Sequence, residues 1–180
     1  MDLPTAGGRE RYQFESRITM PSKSLVARLG ELYASVTVSL NHLQPVLLLA
    51  IRLYWGWQFA QSGWGKLHRI PQVTDFFTTL GLPQPHLTAV FVGLVEFIGG
   101  ILFALGIGSR LVSLALFVNM SVAYWTADRD ALAMILSDPG KFYAADPYTF
   151  WFAALVVLIF GPGKWALDTV VRRRFARSLD

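Results

Sequence analysis

Four long apolar segments dominate this sequence, over residues 44–62, 87–105, 111–126 and 147–160. Each approaches the roughly 20 residues with which an α-helix crosses a hydrocarbon layer about 30 Å thick. The hydrophobic fraction of 53% and the mean hydropathy of +0.42 exceed what a soluble domain of this size needs. The segments therefore predict an all-α fold, a transmembrane four-helix bundle, and they argue against a soluble enzyme.

The chain before the first span has a different pattern. Apolar residues recur at helical spacing over residues 22–41, with Lys23, Arg28 and Glu31 among them. This pattern predicts an N-terminal amphipathic helix at the membrane interface, with a partly ordered arm as the alternative. The predicted organisation is a cytoplasmic arm over residues 1–43, a four-helix membrane domain over residues 44–168, and a basic cytoplasmic tail over residues 169–180.

The connections between the spans predict shorter elements. Proline and glycine bracket one short amphipathic helix over residues 72–80, and a second is predicted over residues 129–136. Residues 106–109 leave only a tight turn, so the second and third spans are predicted to be antiparallel neighbours. Asp146 followed by Pro147 is typical of an N-cap and the first residue of a helix.

Lysine and arginine are distributed unevenly between the two sides of such a bundle. With both termini in the cytoplasm, that side carries eleven of them: Arg9, Arg11, Arg17, Lys23, Arg28, Arg110, Lys164, Arg172, Arg173, Arg174 and Arg177. The opposite side carries four: Lys66, Arg69, Arg129 and Lys141. Because cytoplasmic flanks are enriched in Lys and Arg, this asymmetry predicts an N-in, C-in protein. It also explains the net charge of +4 without a nucleic-acid partner.

Three polar residues lie near the middle of predicted spans: Arg52, Glu96 and Asn119. An uncompensated charge at the bilayer centre costs at least about 2.5–3.5 kcal/mol, so these side chains are predicted to face inward. Each shares a helical face with small residues, which line the surfaces where transmembrane helices approach closely. The pattern predicts one buried polar cluster in which Arg52 pairs with Glu96. The pair can be purely structural, or it can also bind a ligand or move protons.

The end of the first span concentrates indoles, amides and cations: Gln58, Gln61, Trp64, Lys66 and His68 are its polar and aromatic members. Each tryptophan alone is typical of an interfacial aromatic belt. Together the residues offer apolar walls and hydrogen-bond donors for carbonyl oxygens, which is what a quinone headgroup needs. We therefore predict ligand binding here.

Several chemistries lack the residues they need. The absence of cysteine excludes thiolate-bound zinc, iron–sulfur clusters and covalent haem. The histidines His42, His68 and His86 lie near helix ends or in loops, so none pairs at mid-membrane to hold a haem. No metal-ligand spacing or phosphate loop is found. The sequence predicts no metal site, no covalent cofactor and no nameable catalytic residue.

Five short motifs in a fixed order resemble the DoxX family of small four-helix membrane proteins. They are Gly63-Trp64-Gly65-Lys66-Leu67 after Arg52, Leu80-Gly81-Leu82-Pro83, Gly93-Leu94-Val95-Glu96 with Gly99-Gly100, Gly106 to Arg110 with Asn119-Met120, and Gly161-Pro162-Gly163 with Trp165 and Asp168. The resemblance covers residues 44–168. The arm and the long loop at residues 128–146 depart from the shortest members of the family.

The resemblance implies a multi-pass protein of a prokaryotic inner membrane. Family members are associated with terminal quinol oxidase, with thiosulfate:quinone oxidoreductase and with membrane oxidoreductase complexes of oxidative stress. The resemblance implies that four residues are important for function: Arg52, Lys66, Glu96 and Asn119. It also implies that the cofactor to expect is a quinone. The expected partners are the lipid bilayer and a redox subunit.

Three functions remain open. The first is a membrane subunit of a quinone-linked oxidoreductase, which has no activity of its own. The second is a scaffold or assembly factor, in which the polar cluster is structural. The third is a carrier of a small molecule or protons, for which about four spans are few unless a homo-oligomer forms.

The predicted topology can be measured directly. A reporter that works only in the cytoplasm should be active when it is fused at Asp180. A reporter that works only on the other side of the membrane should be active when it is fused within residues 128–146. A reporter at Asp180 that is active outside would contradict the N-in, C-in topology.

Overall fold

A computed structural model describes residues 24–171 of the chain. The helices of this part are α1 (Leu25–His68), α2 (Ile70–Thr79), α3 (Pro85–Leu105), α4 (Ser109–Thr126), α5 (Arg129–Ala133), α6 (Pro139–Ala144) and α7 (Pro147–Phe160). The last described residues, 167–171, are also helical, and no strand occurs within residues 24–171. The predicted all-α fold is therefore confirmed for the described residues.

The chain divides into two compact units, residues 1–41 and residues 42–180. In the first unit, residues 25–41 are helical and expose apolar side chains such as Leu29, Leu32 and Val36. These residues were predicted to form a separate helix over residues 22–41, but they are the first part of α1, which continues to His68. Residues 1–23 of the predicted arm lie outside the described part. The basic cluster of the tail, at Arg172, Arg173, Arg174 and Arg177, also lies outside it.

Four helices of the second unit share one apolar core. Its buried members come from each of α1, α3, α4 and α7: Phe59, Phe103, Leu116, Met120, Ala154 and Val157. The rings of Phe59 and Phe103 meet edge to face with centroids 6.2 Å apart, and Phe150 packs on Phe59 at 4.8 Å. The helix that contains the first predicted span therefore packs against the other three through this core.

Glycines set the distance and the register between α1 and α3. A Cβ at Gly63 would overlap the backbone of α3 at Phe97, and a Cβ at Gly56 would lie 2.7 Å from the carbonyl oxygen of Gly100. Because side chains larger than hydrogen do not fit, the two backbones touch at both levels. Residue numbers rise along α1 while those of the facing residues fall along α3, so the two helices are antiparallel.

The tight turn predicted between α3 and α4 is confirmed. Gly106 ends α3 in the left-handed region with φ +73°, and its N–H donates to the carbonyl oxygen of Leu102 at 2.8 Å. Glycine adopts this conformation without the Cβ penalty of other residues, which is why it so often ends helices. Three residues later, at Ser109, α4 begins, and it packs against α3 as expected for antiparallel neighbours.

The outward faces of the bundle are apolar. On α3, Leu94, Ile98 and Leu105 are 42%, 50% and 47% exposed, while Glu96 on the same helix is only 1% exposed. A soluble protein rarely exposes so continuous an apolar surface, whereas lipid tails accommodate it. By length and composition, α1 and α3 are suited to cross a membrane, and α7 is a shorter apolar helix.

The short outer elements differ in detail from the predictions. The helix predicted over residues 72–80 is α2, and the one predicted over residues 129–136 ends after five residues, at Ala133. The helix α6 was not predicted. Pro147 begins α7 as predicted, but Asp146 makes no side-chain cap hydrogen bond, because its backbone is already helical at φ −52° and ψ −40°.

Two glycines of α1 test the close approach to α3. Gly63→Ala should lower the free energy of unfolding by about 1–3 kcal/mol, because the added methyl group collides with the backbone of α3. Gly65→Ala is the matched control, since a Cβ there meets nothing within 4 Å. Thermal unfolding of the detergent-solubilised chain measures both, and equal midpoints for the two variants would contradict the packing.

Candidate functional site

The carboxylate of Glu96 is the centre of a polar cluster formed by α1, α3 and α4. Its Oε2 accepts a hydrogen bond from Ser62 Oγ at 2.9 Å and an ion-paired hydrogen bond from Lys66 Nζ. Its Oε1 accepts a hydrogen bond from Asn119 Nδ2 at 3.0 Å. A buried charge is tolerated only when a counter-charge and hydrogen bonds compensate for lost water, and Glu96 has both.

Helical spacing brings Ser62 and Lys66 to the same point. They are four residues apart on α1, hence neighbours on one face, and Lys66 Nζ donates to Ser62 Oγ at 2.8 Å. Gly63 lies between them and touches α3 beside Glu96. The same close approach that packs the two helices therefore delivers the cation and the hydroxyl to the carboxylate.

The cluster forms the floor of a cavity of about 780 Å³, which we call the Lys66–Glu96 cavity. Four polar side chains line its floor: Ser62, Lys66, Glu96 and Asn119. Its walls are largely apolar, with Phe77 and Leu80 on the side of α2, Val92 on α3, Met120 on α4 and Phe150 on α7. This size, with apolar walls and a few polar groups, is usual for sites that bind small molecules.

The floor keeps hydrogen-bonding capacity that the protein does not use. An ammonium group has three protons, and Lys66 Nζ directs two of them to Ser62 and Glu96. The Lys66 side chain remains 28% exposed. Asn119 donates one N–H to Glu96, and the other groups of its amide have no partner among residues 24–171. A ligand with an oxygen acceptor could therefore bind to the floor.

Two aspartates lie at the opposite end of the cavity, where the outer loops meet α4 and α7. Asp128 follows α4 and Asp146 precedes α7, and both line the cavity. Asp146 is exposed whereas Glu96 is buried, and we call this outer end of the cavity the mouth. Burial, together with the nearby charge of Asp146, raises the pKa of Asp128 above its usual value.

The predicted ion pair between Arg52 and Glu96 is wrong. Arg52 is 1% exposed, but its guanidinium donates to the carbonyl oxygens of Pro162 at 2.6 Å and Trp165 at 3.3 Å. It lies against Gly106, ten residues beyond Glu96 along α3 and so about 15 Å away. The antiparallel register places Lys66 beside Glu96 instead, so the predicted cluster of three residues keeps Glu96 and Asn119 and gains Ser62 and Lys66.

Asp168 organises the end of the bundle where Arg52 lies. Its carboxylate accepts three hydrogen bonds at 2.8 Å each, from the N–H groups of Gly108 and Ser109 and from Ser109 Oγ. Burial acts to raise the pKa of Asp168, but these hydrogen bonds and the charge of Arg52 outweigh it and hold the pKa below its usual value. Sequence reasoning named Asp168 only as part of a motif and missed its role at the start of α4.

The residues predicted to bind a ligand separate in the structure. Lys66 lines the cavity, but Gln58, Gln61, Trp64 and His68 do not. Trp64 is 52% exposed and packs on His68 and Phe97, with ring centroids 4.0 Å and 5.2 Å apart. The Gln58 amide donates to the Tyr54 hydroxyl at 3.4 Å.

Several lining residues were not predicted from the sequence to belong to a site: Ser62, Phe77, Asp128 and Asp146 are examples. The four-residue spacing of Ser62 and Lys66 was a usable signal, because it places a hydroxyl and an ammonium on one helical face. Nothing in the local sequence indicates that α2 and the outer loops fold over this face. Within residues 24–171, no group of three or more His, Cys, Asp or Glu side chains is placed to hold a metal ion.

An all-α chain with apolar outer faces and a buried, compensated charge is an integral membrane protein of the helical class. It belongs to the DoxX family, whose profile matches residues 47–129. The chain is 30% identical over 144 residues to the uncharacterized membrane protein Rv3486 of Mycobacterium tuberculosis, covering 72% of this chain and 84% of the relative. It is 29% identical over 131 residues to the inner membrane protein YphA of Escherichia coli, covering 69% and 90%. No solved structure matches the chain.

A double-mutant cycle tests the ion pair that the structure reveals. Lys66→Met should lower the free energy of unfolding by up to about 3–5 kcal/mol, because it leaves the Glu96 carboxylate buried without its cation. Lys66→Met combined with Glu96→Gln should cost less than the sum of the two single changes, and the exposed Lys164→Met is the control. Strictly additive losses would argue that the two side chains do not interact.

Proposed function

We propose that this protein is the membrane subunit of a quinone-linked oxidoreductase complex and that it binds the quinone headgroup in the Lys66–Glu96 cavity. The observation that carries the proposal is a polar floor under apolar walls: Lys66 and Asn119 offer unused hydrogen-bonding groups inside a cavity of about 780 Å³. A quinone has carbonyl oxygens for such donors and a flat apolar ring for such walls.

The membrane setting supports a quinone in particular. We propose that α1, α3, α4 and α7 all cross the inner membrane, with both termini in the cytoplasm, and that the cavity lies in the outer half of the bundle. A quinone is already dissolved in the bilayer, so it needs no aqueous path to reach this half. YphA of Escherichia coli is named an inner membrane protein, which supports the same location for this chain.

The protein's own side chains would bind and orient the headgroup. Lys66 would donate its third proton to one carbonyl oxygen, while Ser62 and Glu96 hold the ammonium in place. Asn119 would offer its free amide groups to the same ring. We propose that the electrons come from a partner subunit that carries its own redox centre.

Binding of a short-chain quinone analogue to the detergent-solubilised chain tests the proposal. The double variant Lys66→Met with Glu96→Gln keeps the floor neutral but removes the ammonium group of Lys66. It should weaken binding of the analogue about tenfold or more, because a hydrogen bond from a charged group contributes about 1.5–3 kcal/mol. Lys164→Met, far from the cavity lining, should bind as well as the unaltered chain.

Trp64→Ala separates two placements of the site. The sequence alone places Trp64 at the ligand, whereas the cavity excludes it, so binding should be unchanged in this variant. If the unaltered chain binds no quinone analogue, the proposed function is overturned, and a scaffold or assembly factor becomes the better hypothesis. Weakened binding in Trp64→Ala alone would move the site to the outer face of α1.

A further inference from the structure

The charged side chains that line the Lys66–Glu96 cavity do not balance. Its lining contains one cation, Lys66, and three carboxylates, Glu96, Asp128 and Asp146. Lys66 and Glu96 neutralise each other on the floor. The two aspartates at the mouth therefore leave the outer end of the cavity with an excess of negative charge.

We propose that Asp128 and Asp146 select the ligand by charge, so that the cavity admits neutral or cationic amphiphiles and rejects anions. This inference rests on the proposed function, because it concerns the same cavity, and it narrows the ligand class. The ligand would present an oxygen acceptor to Lys66, an apolar body to the walls, and an uncharged or positive end to the mouth. A small anionic substrate such as an oxoanion would be excluded.

Cations of the outer loops do not cancel this charge within the cavity. The Arg129 guanidinium lies 5.8 Å from the centre of the Trp125 ring, and Lys141 Nζ lies 3.9 Å from Asp138 Oδ2. Neither Arg129 nor Lys141 lines the cavity. Both line a neighbouring surface depression to which Asp128 also belongs. Their long, exposed side chains are screened by water and salt, whereas the partly buried carboxylate of Asp128 acts through a less polar medium.

The two aspartates are close enough to affect one another. The charge of Asp146 contributes, after burial, to raising the pKa of Asp128, which is the expected effect of one carboxylate on another. A positive group placed between them would relieve this repulsion, and a negative group would add to it. The arrangement therefore favours a cation at the mouth through geometry and charge together.

The cysteine-free chain allows the electric potential in the cavity to be measured without knowing the ligand. In Ala123→Cys the only thiol lies in the cavity wall. We compare how fast this thiol reacts with a cationic reagent, trimethylammonioethyl methanethiosulfonate, and with an anionic one, sulfonatoethyl methanethiosulfonate. Each rate is divided by the rate at which the same reagent reacts with free mercaptoethanol, which corrects for the reagent's own reactivity. We expect a cation-to-anion ratio of about ten or more, from two carboxylates acting across a partly apolar site.

Removing the charges should remove the selectivity. When the Ala123→Cys chain also carries both Asp128→Asn and Asp146→Asn, the cation-to-anion ratio should fall to about one. Asp130→Asn is the control and should leave the ratio unchanged, because Asp130 lies on the same surface but outside the cavity lining. A ratio near one before these changes, or an unchanged ratio after them, overturns the charge selection. Thr126→Cys, a second lining position, repeats the measurement if Ala123→Cys does not fold.

An uncharged reagent separates this inference from the proposed function. Methyl methanethiosulfonate should modify Ala123→Cys, because the cavity admits neutral molecules. If this reagent reacts but the charged reagents show no selectivity, only the role of Asp128 and Asp146 fails. If it does not react at either lining position, the cavity is closed to ligands and the proposed function fails with it.

Discussion

The burial of one carboxylate, that of Glu96, is the constraint on which the rest of the bundle depends. A charge removed from water is stable only with a counter-charge and hydrogen bonds at close range, and here they come from Lys66, Ser62 and Asn119. These groups lie on two other helices, so α1 and α4 must both approach α3 at this level. Gly63 permits the approach, because any larger side chain would overlap the backbone of α3.

The two ends of the bundle are stabilised differently. At one end, buried Arg52 and the carboxylate of Asp168 bind the turn after α3, the start of α4 and the carbonyl groups after α7. The middle is filled by aromatic and aliphatic side chains around Phe59 and Phe103. At the other end, the polar floor opens into the Lys66–Glu96 cavity. A closed, hydrogen-bonded end thus holds helices that leave room for a ligand at the opposite end.

The structure places some of the predicted site residues together and separates others. Lys66 was named for its donor group, Glu96 and Asn119 for their polarity inside predicted spans, and all three line the cavity. Trp64 was named with Lys66 because they are close in sequence, yet residues two apart on a helix point about 200° apart. The aromatic ring therefore packs outward on His68 and Phe97 while the ammonium group reaches the floor.

The sequence by itself determined the helical class, the approximate bounds of α3, α4 and α7, the turn at Gly106 and the need to bury Arg52 and Glu96. These follow from hydropathy, local backbone preference and the cost of an unpaired charge, which act over a few neighbouring residues. Only the tertiary structure decided which cation pairs with Glu96. That choice depends on the register of α1 against α3, which contacts such as Gly56 with Gly100 establish between residues far apart in the chain, and no local pattern encodes it.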